Sequence, residues 1–394
     1  MPVDLLQAQR QIKEKSQKAG LKISELNQRV DQARGVFEAS SGKIEWLTER
    51  VEKTLDKNVG LRCAVPCSEP LDQTAQAADK DGAYVILAAD GSQIVPSRHE
   101  RVEFGVINTG IFRMEVGDAL PKPPDEIIQS RILYGDDLEN QGRAVTEDLI
   151  ALWRDLDERR ILAELAARET LPVIALTDGP LELYQEPKQQ EEFASLFQDY
   201  LFELRKLADL DIVTAGYVDK PRADLVVRLL ELAALKDEDL ERAGRLHPFG
   251  GVTDFDLFNP LLQPGERSAL FRLQSVSAKN YAGELSLHFY YLKIGSQERS
   301  ALARVEIPAW VARDLQKIGR AHAVLVRQCE QMGSRPYPYA LHRAHEVALV
   351  RREEKQALED MIIAELYRLG IRVGEKSNKQ ANKDISGLRT RYTR

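Results

Sequence analysis

Two acidic residues follow short apolar segments in the same way. Residues 85–89 (VILAA) lead into Asp90, residues 173–177 (VIALT) lead into Asp178, and a glycine follows each acid. Apolar runs of about five residues, rich in β-branched types and stopped by Gly or Pro, predict buried strands. Acids at the carboxyl ends of two strands lie where α/β sheets bind ligands. Two close carboxylates need a positive charge between them, so this pattern predicts a divalent metal site.

The same two pairs also fit ordinary turns. An Asp side chain can accept from its own backbone, and Gly tolerates the positive φ that many turns require. Both interpretations stay open when only these fourteen residues (85–91 and 173–179) are considered, and the remaining sequence has to decide between them.

Length and composition bound the class of protein. A chain of 394 residues that is 43% hydrophobic can bury a large core and more than one structural unit. No apolar stretch approaches the ~20 residues of a membrane span, and the first residues lack a signal-peptide pattern. We therefore expect a cytoplasmic protein that does not enter the membrane. Cys63 and Cys67 have no second cysteine pair, which makes them weak evidence for a metal site.

The charge is acidic overall and locally basic. The formal net charge of −7 argues against a protein that coats nucleic acid, but it does not exclude a local basic groove. Basic residues dominate the C-terminal stretch, among them Lys376, Lys379 and Lys383. This stretch is predicted either to contact phosphate or to be a solvated tail.

The first 60 residues are predicted to form a helical or coiled-coil arm. Apolar residues recur there at spacings of three and four, as in Ile23, Leu26, Val30 and Phe37, and again after a Ser-Ser-Gly break at 40–42. This periodicity is typical of helices that pack on each other, and the segment lacks candidate catalytic residues. We expect the arm to serve assembly.

The remainder of the chain predicts an α/β fold with a mixed sheet. Strand patterns over 102–109 and 110–116 follow the first acidic strand, which indicates an antiparallel beginning. Helical and strand patterns then alternate, and a long helix is predicted near the C-terminus. The further segments are helix 146–168, strand 173–178, helix 190–208, strand 212–217, helix 224–234 and helix 341–369. A sheet covered by helices on both faces follows from this order.

Six short motifs in order give the sequence a resemblance to a known family. They are ADGSQ (89–93), TDGPL (177–181), GYVDKP (216–221), GERSALF (265–271), FYYLKIG with RVEIPAW, and YPYALHRAH (337–345). This series resembles the NurA nucleases. The resemblance implies a nuclease domain over residues 80–394 with an RNase H-like fold, and cleavage of DNA with Mn²⁺, Mg²⁺ being the alternative ion.

The resemblance also implies a set of metal-binding carboxylates. The family's two aspartates fall on Asp90 and Asp178, and a glutamate from the helix before the second strand completes the set. Glu164 is the predicted glutamate, with Glu158 and Glu169 as alternatives. Such a set suits the chemistry, because two metals about 3.5–4 Å apart can activate water and stabilise charge on a phosphodiester.

Further site residues are predicted near the C-terminus and after a strand. The family's Tyr and His match Tyr337 and His345, with His342 as the alternative. His345 would bind metal or transfer a proton, since manganese accepts imidazole as well as oxygen ligands. Lys220 is predicted to contact the scissile phosphate or to be a solvent-facing turn residue. Arg267 is predicted to hold a DNA phosphate or to pair with the adjacent glutamate.

A second acidic pair, Asp254 and Asp256, is spaced so that both side chains would share one face of a strand. The resemblance gives this pair no catalytic role. We therefore predict that it is a structural feature of a turn or loop.

The resemblance implies a function in DNA end resection and double-strand break repair. Expected activities are single-strand endonuclease and 5′-to-3′ exonuclease, on single-stranded DNA or duplex ends. A homodimer bound to a hexameric HerA-type ATPase is the expected assembly. The alternative function is a non-catalytic RNase H-like scaffold that binds DNA or a partner. A phosphotransferase using Asp90 as its nucleophile is excluded, because it would need a second acid at position 92, which is Ser.

Overall fold

A computed structural model of the protein describes residues 4–78, 82–117, 122–140, 142–183, 190–296 and 298–373. The described residues form ten α-helices: α1 (Leu5–Ser40), α2 (Ile44–Leu55), α3 (Glu147–Ala166), α4 (Gln190–Asp209), α5 (Leu225–Ala234), α6 (Asp254–Leu261), α7 (Ala309–Ala312), α8 (Leu315–Glu330), α9 (Tyr339–Ala348) and α10 (Arg352–Arg368). None of these helices has the length and hydrophobicity that crossing a bilayer demands.

The same residues form thirteen β-strands: β1 (Cys63–Pro66), β2 (Thr74–Gln76), β3 (Tyr84–Ile94), β4 (Gly105–Val116), β5 (Asp125–Leu133), β6 (Glu139–Asn140), β7 (Arg143–Ala144), β8 (Val173–Asp178), β9 (Val213–Asp219), β10 (Glu266–Ser268), β11 (Phe271–Gln274), β12 (Leu287–Gly295) and β13 (Ser300–Pro308). The chain divides into two compact units, each of which draws on separate stretches of the sequence.

The first unit comprises residues 1–80, 179–183 and 213–338. Its strands β1, β11, β12, β13 and β9 are neighbours in that order, and each pair is antiparallel. Its core is aromatic. Phe258 stacks on Tyr291 with ring centroids 4.7 Å apart, and Phe271 stacks on Phe289 at 5.6 Å.

The second unit comprises residues 81–178, 184–212 and 339–394, and it contains the two acidic strands. Its strand order is β8-β3-β4-β5. The strands β3, β4 and β5 form an antiparallel meander, whereas β8 runs parallel to β3. The helices α3 and α9 both pack on β3 and β4. They contact alternate residues of the strands, so they cover opposite faces of the sheet. The predicted mixed sheet flanked by helices is confirmed.

The boundaries of the first strands differ from the prediction. Strand β3 does not end before Asp90 but continues to Ile94, because β4 supplies ladder partners along its whole length. The two predicted strands at 102–109 and 110–116 are the single strand β4. Its Gly110 lies in mid-strand, and its φ is not in the left-handed region that a turn would use.

The predicted helix over 341–369 is two helices, α9 and α10. The last carbonyl of α9, that of Ala348, accepts hydrogen bonds from Ser92 Oγ at 2.6 Å and from Asn108 Nδ2 at 2.7 Å. Side chains from β3 and β4 therefore cap α9. The chain turns there before Arg352 begins α10.

The predicted N-terminal helices are present, and they differ in their packing. Within α1, burial begins near Val30, and Leu6 and Ile12 are 71% and 63% exposed. In contrast, α2 places Leu47 and Val51 in the core of the first unit and packs against α5.

The acidic pair at 254 and 256 lies on α6, not on a strand. Asp254 is fully buried and its carboxylate accepts from Val226 N at 3.1 Å and Val227 N at 2.9 Å, at the start of α5. Asp256 accepts from Thr253 N at 2.9 Å and so caps α6. Both acids have structural roles, as predicted, but as helix caps.

Candidate active site

The two acids predicted to share a metal lie side by side in the second unit. The parallel register of β3 and β8 runs from Val85 opposite Val173 to Ala89 opposite Thr177. Asp90 and Asp178 are the next residues on each strand, and neighbouring strands lie about 4.8 Å apart. The predicted adjacency of the two strands is therefore confirmed. Strand β8 ends at Asp178, whereas β3 continues beyond Asp90.

The helix α9 brings a histidine to Asp90. The Nδ1 atom of His345 lies 2.6 Å from Asp90 Oδ2, while Asp90 Oδ1 accepts from Gly91 N at 2.9 Å. An ionised carboxylate can only accept, so this hydrogen bond places a proton on Nδ1. The histidine side chain is 57% exposed and that of Asp90 is 15% exposed. The alternative, His342, lies 3.7 Å from Glu346 on the same helix.

A glycine allows α9 to come this close. Gly110 lies opposite Asp90 in the β3–β4 ladder. A Cβ atom at this position would lie 2.7 Å from Ala344 O and 2.9 Å from Ala348 Cα, both backbone atoms of α9. The hydrogen bonds from Ser92 and Asn108 to Ala348 O fix the position of the C-terminal end of α9 along the strands. Backbone contact at Gly110 thus sets the height of His345 above the sheet.

The opposite face of the sheet receives a glutamate from α3. A Cβ atom on Gly91 would lie 2.8 Å from Glu158 Oε1, so Glu158 lies directly against the residue that follows Asp90. Two arginines hold this carboxylate. Glu158 Oε2 lies 3.1 Å from Arg159 Nη1, and Oε1 lies 3.7 Å from Arg154 Nε. The structure thus places Glu158, which the sequence left as an alternative, beside Asp90.

The predicted glutamate, Glu164, does not face this site. It lies six residues further along α3, on the exposed side of the helix. The helical rotation over six residues is about 240° beyond one full turn, which carries Glu164 away from the sheet. Glu169 is also engaged elsewhere, in a bidentate ion pair with Arg113 at 2.6 and 2.9 Å. Glu158, and not Glu164, therefore lies on the side of α3 that faces the sheet, and metal binding by either residue stays a prediction.

Several carboxylates lie close together at this site and repel one another electrostatically. Burial raises the pKa of Glu158, and the carboxylates of Asp155 and Asp90 raise it further. Hard divalent ions prefer such oxygen ligands, so the donor set fits Mn²⁺ or Mg²⁺ in type. Within the described part of the chain, however, no three His, Cys, Asp or Glu side chains are already gathered as a ligand cluster.

Three other predicted residues belong to the first unit. Tyr337 is half-buried and packs edge-on against Tyr217, with ring centroids 5.4 Å apart. Lys220 follows β9 with a left-handed φ of 46° and is exposed. Arg267 is buried in a bidentate pair with Glu69, at 2.7 and 3.0 Å. This pairing commits the guanidinium of Arg267, so the structure does not support its predicted DNA contact, and its partner is not the adjacent Glu266.

Two further predictions concern residues outside the site. Lys376, Lys379 and Lys383 lie outside the described residues. Cys63 and Cys67 are free thiols, and burial raises their pKa to about 12 and about 11. Among the described residues, neither cysteine belongs to a group of three or more His, Cys, Asp or Glu side chains that could hold a metal.

Sequence reasoning named Glu158 only as an alternative, and it passed over Gly110. Glu158 carried a signal, because it falls on one helical stripe with the buried residues Ile150 and Ile161, at spacings of eight and three. An acid within an apolar stripe is expensive to bury without a purpose. Gly110 carried no comparable signal, since only the tertiary packing of α9 shows why a side chain is excluded there.

Comparison with protein families assigns the chain. The NurA domain model matches residues 84–350, about two thirds of the sequence. The chain belongs to the NurA family. The resemblance inferred from the six motifs is thereby confirmed. The match begins at β3 and ends just after α9, so it contains Asp90, Glu158, Asp178 and His345. No curated protein matches the sequence at a significant level.

Comparison with solved structures finds matches at low sequence identity and low TM-score. The NurA nuclease from Sulfolobus solfataricus is 12% identical, with a TM-score of 0.48, covering 91% of this chain and 98% of that chain. The catalytic domain of human Endonuclease V is 11% identical, with a TM-score of 0.32 and coverages of 82% and 98%. A type 1 RNase H with the type 2 active-site motif is 16% identical, with a TM-score of 0.21 and coverages of 32% and 60%. The predicted RNase H-like fold agrees with the meander and parallel strand of the second unit.

Proposed function

We propose that this NurA-family protein is a metal-dependent deoxyribonuclease that hydrolyses DNA phosphodiesters. One observation carries the proposal. Asp90 and Asp178 are adjacent on parallel strands, with Glu158 against one face of the sheet and His345 against the other. Acids and an acid–base group around one strand end suit the hydrolysis of a phosphodiester, which needs an activated water and a stabilised leaving oxygen.

The metal in this proposal is Mn²⁺, with Mg²⁺ as the alternative. Asp90, Asp178 and Glu158 would hold it, in place of the set with Glu164. Bound there, the ion would lower the pKa of a water and neutralise charge that develops on the phosphate. Burial is the main reason why the pKa of Glu158 is raised, although Arg159 and Arg154 lower it, and a cation bound beside Asp90 would lower it further.

The side chains themselves would bind and move protons. Asp90 orients the His345 ring through Nδ1, so Nε2 is the atom that would exchange a proton with water or the leaving oxygen. Tyr337 and Lys220 are proposed to orient the phosphate, as the family pattern implies. Arg154 and Arg159 fix the carboxylate of Glu158 from either side.

The finer activity and the assembly are part of the same proposal. We expect single-strand endonuclease and 5′-to-3′ exonuclease activity in DNA end resection and double-strand break repair, with a hexameric HerA-type ATPase as the partner. We also expect a homodimer. The support for assembly is family membership, together with the exposed apolar residues in the first half of α1.

Cleavage of labelled single-stranded DNA tests the function. The wild-type protein should cleave with Mn²⁺ or Mg²⁺ and not with chelator, and Asp90→Asn should abolish cleavage. Asp199→Asn is the matched control, because Asp199 is exposed on α4 in the same unit. DNA binding without cleavage in any metal would instead favour the non-catalytic scaffold.

A further inference from the structure

A cavity in the second unit lies between α3 and the outer strands of the sheet. Its volume is about 260 Å³, and its lining includes Thr109 of β4, Arg131 of β5, and Asp157 and Arg160 of α3. A water molecule takes about 30 Å³ of liquid volume, so a group of several heavy atoms fits inside. The lining is charged, with two arginines facing one acid.

The two arginines have more donors than their partner uses. Arg160 Nη2 donates to Asp157 Oδ1 at 2.7 Å, and Arg131 Nη2 lies 3.3 Å from Asp157 Oδ2. The buried Nε and Nη2 atoms of Arg131 have no hydrogen-bond partner among the described residues. Two guanidinium groups carry ten N–H donors, and one carboxylate cannot satisfy them. Both arginine side chains are 41% exposed, so solvent reaches many of these donors, but Nε of Arg131 is buried without a hydrogen-bond partner among the described residues and can bond an additional acceptor in the cavity.

The orientation of Arg131 is also fixed. Its guanidinium carbon lies 5.2 Å from the ring centroid of Trp153, which stacks on it from α3. A stacked guanidinium presents its donor edge in one plane, the geometry that binds phosphate oxygens in a bidentate manner.

The cavity lies on the face of the sheet that α3 covers, the same face as Glu158, whereas the Asp90 side chain contacts His345 on the α9 face. Thr109, in its lining, lies opposite Gly91 in the β3–β4 ladder, and Gly91 contacts Glu158. Asp157 and Glu158 are consecutive residues of α3. One strand spacing, about 4.8 Å, thus separates the cavity from the residue that follows Asp90.

We infer that this cavity binds a backbone phosphate of the nucleic acid strand, next to the phosphate that is cleaved. This inference rests on the proposed function, which brings the strand to Asp90. Arg131 and Arg160 would hold the phosphate, and Asp157 would keep both arginines in place while the site is empty. The site would position the strand without reading its sequence, because every nucleotide carries the same phosphate.

Binding of single-stranded DNA in chelator, measured over a range of salt concentrations, tests the inference. The double variant Arg131→Ala/Arg160→Ala should bind roughly tenfold more weakly. Its slope of log affinity against log salt should be shallower by about 0.7, the value for one phosphate contact on a single strand. The control is Arg205→Ala, which removes an exposed positive charge from α4.

A second variant is expected to increase the affinity for single-stranded DNA. Asp157→Asn removes the competing carboxylate and keeps the shape of the side chain, so it should bind single-stranded DNA several-fold more tightly. Weaker binding by this variant, or a double variant with the same slope as Arg205→Ala, would overturn the inference.

The proposed function can be judged separately. If the wild-type protein cleaves single-stranded DNA but the arginine variants bind with unchanged slope, only the phosphate site is wrong. If the wild-type protein neither binds nor cleaves, the proposed function and the phosphate site both fail.

Discussion

Gly110 lies directly opposite Asp90 in the β3–β4 ladder and is the point at which the backbone of α9 touches the sheet. His345 reaches Asp90 from that same helix, over 2.6 Å. A residue with no side chain therefore sets the distance between an acid and a histidine that are far apart in sequence.

Replacing Gly110 should move His345 away from Asp90. In Gly110→Ala the new Cβ would meet backbone atoms of α9, which cannot rotate away, so the helix must shift. Overpacking of this kind costs about 1–3 kcal/mol, and we expect a lower Tm together with a large loss of cleavage. Gly35→Ala is the matched control, because nothing lies within 4 Å of its added Cβ on α1. It should keep the wild-type Tm and the wild-type cleavage rate. Full activity in Gly110→Ala would show that α9 need not approach so closely.

The two candidate glutamates can be distinguished by a pair of variants. Glu158→Gln should abolish cleavage, because it removes a carboxylate that faces Gly91 beside Asp90. Glu164→Gln changes an exposed side chain on the same helix and should cleave like the wild type. Initial cleavage rates of both variants at saturating Mn²⁺ provide the measurement. The reverse result would restore the original prediction of Glu164.

The two histidines of α9 form a second matched pair. His345→Ala should lower the cleavage rate by about 10²-fold or more, the range for loss of a general acid or base. His342→Ala, which removes a side chain 3.7 Å from Glu346, should lower it little. Equal effects of the two substitutions would mean that His345 acts only through helix packing.

Asp254 should make stability depend on pH. Burial raises the pKa of Asp254 to about 6, against hydrogen bonds from Tyr291, Val227 and Val226 that lower it. The unfolded value is about 3.9, so the folded chain binds this proton more tightly. The stabilisation is present below about pH 3.9 and is lost as pH rises through about 6, on the order of 3 kcal/mol in total.

The variant Asp254→Asn isolates this effect. It keeps an acceptor for the N–H groups of α5 but cannot ionise, so its Tm relative to wild type should rise between pH 4.5 and 7.5. Parallel curves of Tm against pH for the two proteins would refute the assignment.

Deletions of two lengths should separate assembly from folding. Removing residues 1–24 takes away the exposed part of α1 before its burial begins near Val30, so Tm should hold while the proposed homodimer weakens. Removing residues 1–57 also takes away Leu47 and Val51 from the core of the first unit and should unfold it. Light scattering after size exclusion measures the assembly. An unchanged dimer in the shorter deletion would assign assembly to another surface.

The sequence predicted what depends on neighbours along the chain. The buried strands that contain Asp90 and Asp178, the helical cover and the helix break at 40–42 all follow from local pattern. Prediction from the sequence failed where contacts between residues far apart in the chain determine the structure. The helix through 341–369 was predicted whole, because the capping of Ala348 by Ser92 and Asn108 involves residues some 250 positions away.

The choice of glutamate was also limited, because the sequence alone does not show which side of α3 faces the sheet. Position in the sequence favoured Glu164, which is closer to Asp178, but the rotation of α3 decides which side chain faces the sheet. Likewise, the sequence allowed Arg267 to be predicted as a DNA contact. Its ion-pair partner Glu69 is 198 residues earlier, and nothing near Arg267 in the sequence indicates this pairing.

The contact between Asp90 and His345 spans 255 residues, and this has a consequence during synthesis. Ribosomes add about 5–20 residues per second, so Asp90 emerges roughly 10–50 s before its histidine partner. For the later part of that interval the nascent chain has β3, β4 and α3 but not α9. A chain that stalls before residue 339 would therefore lack His345, and only a chain made past α9 would contain every residue of the candidate site.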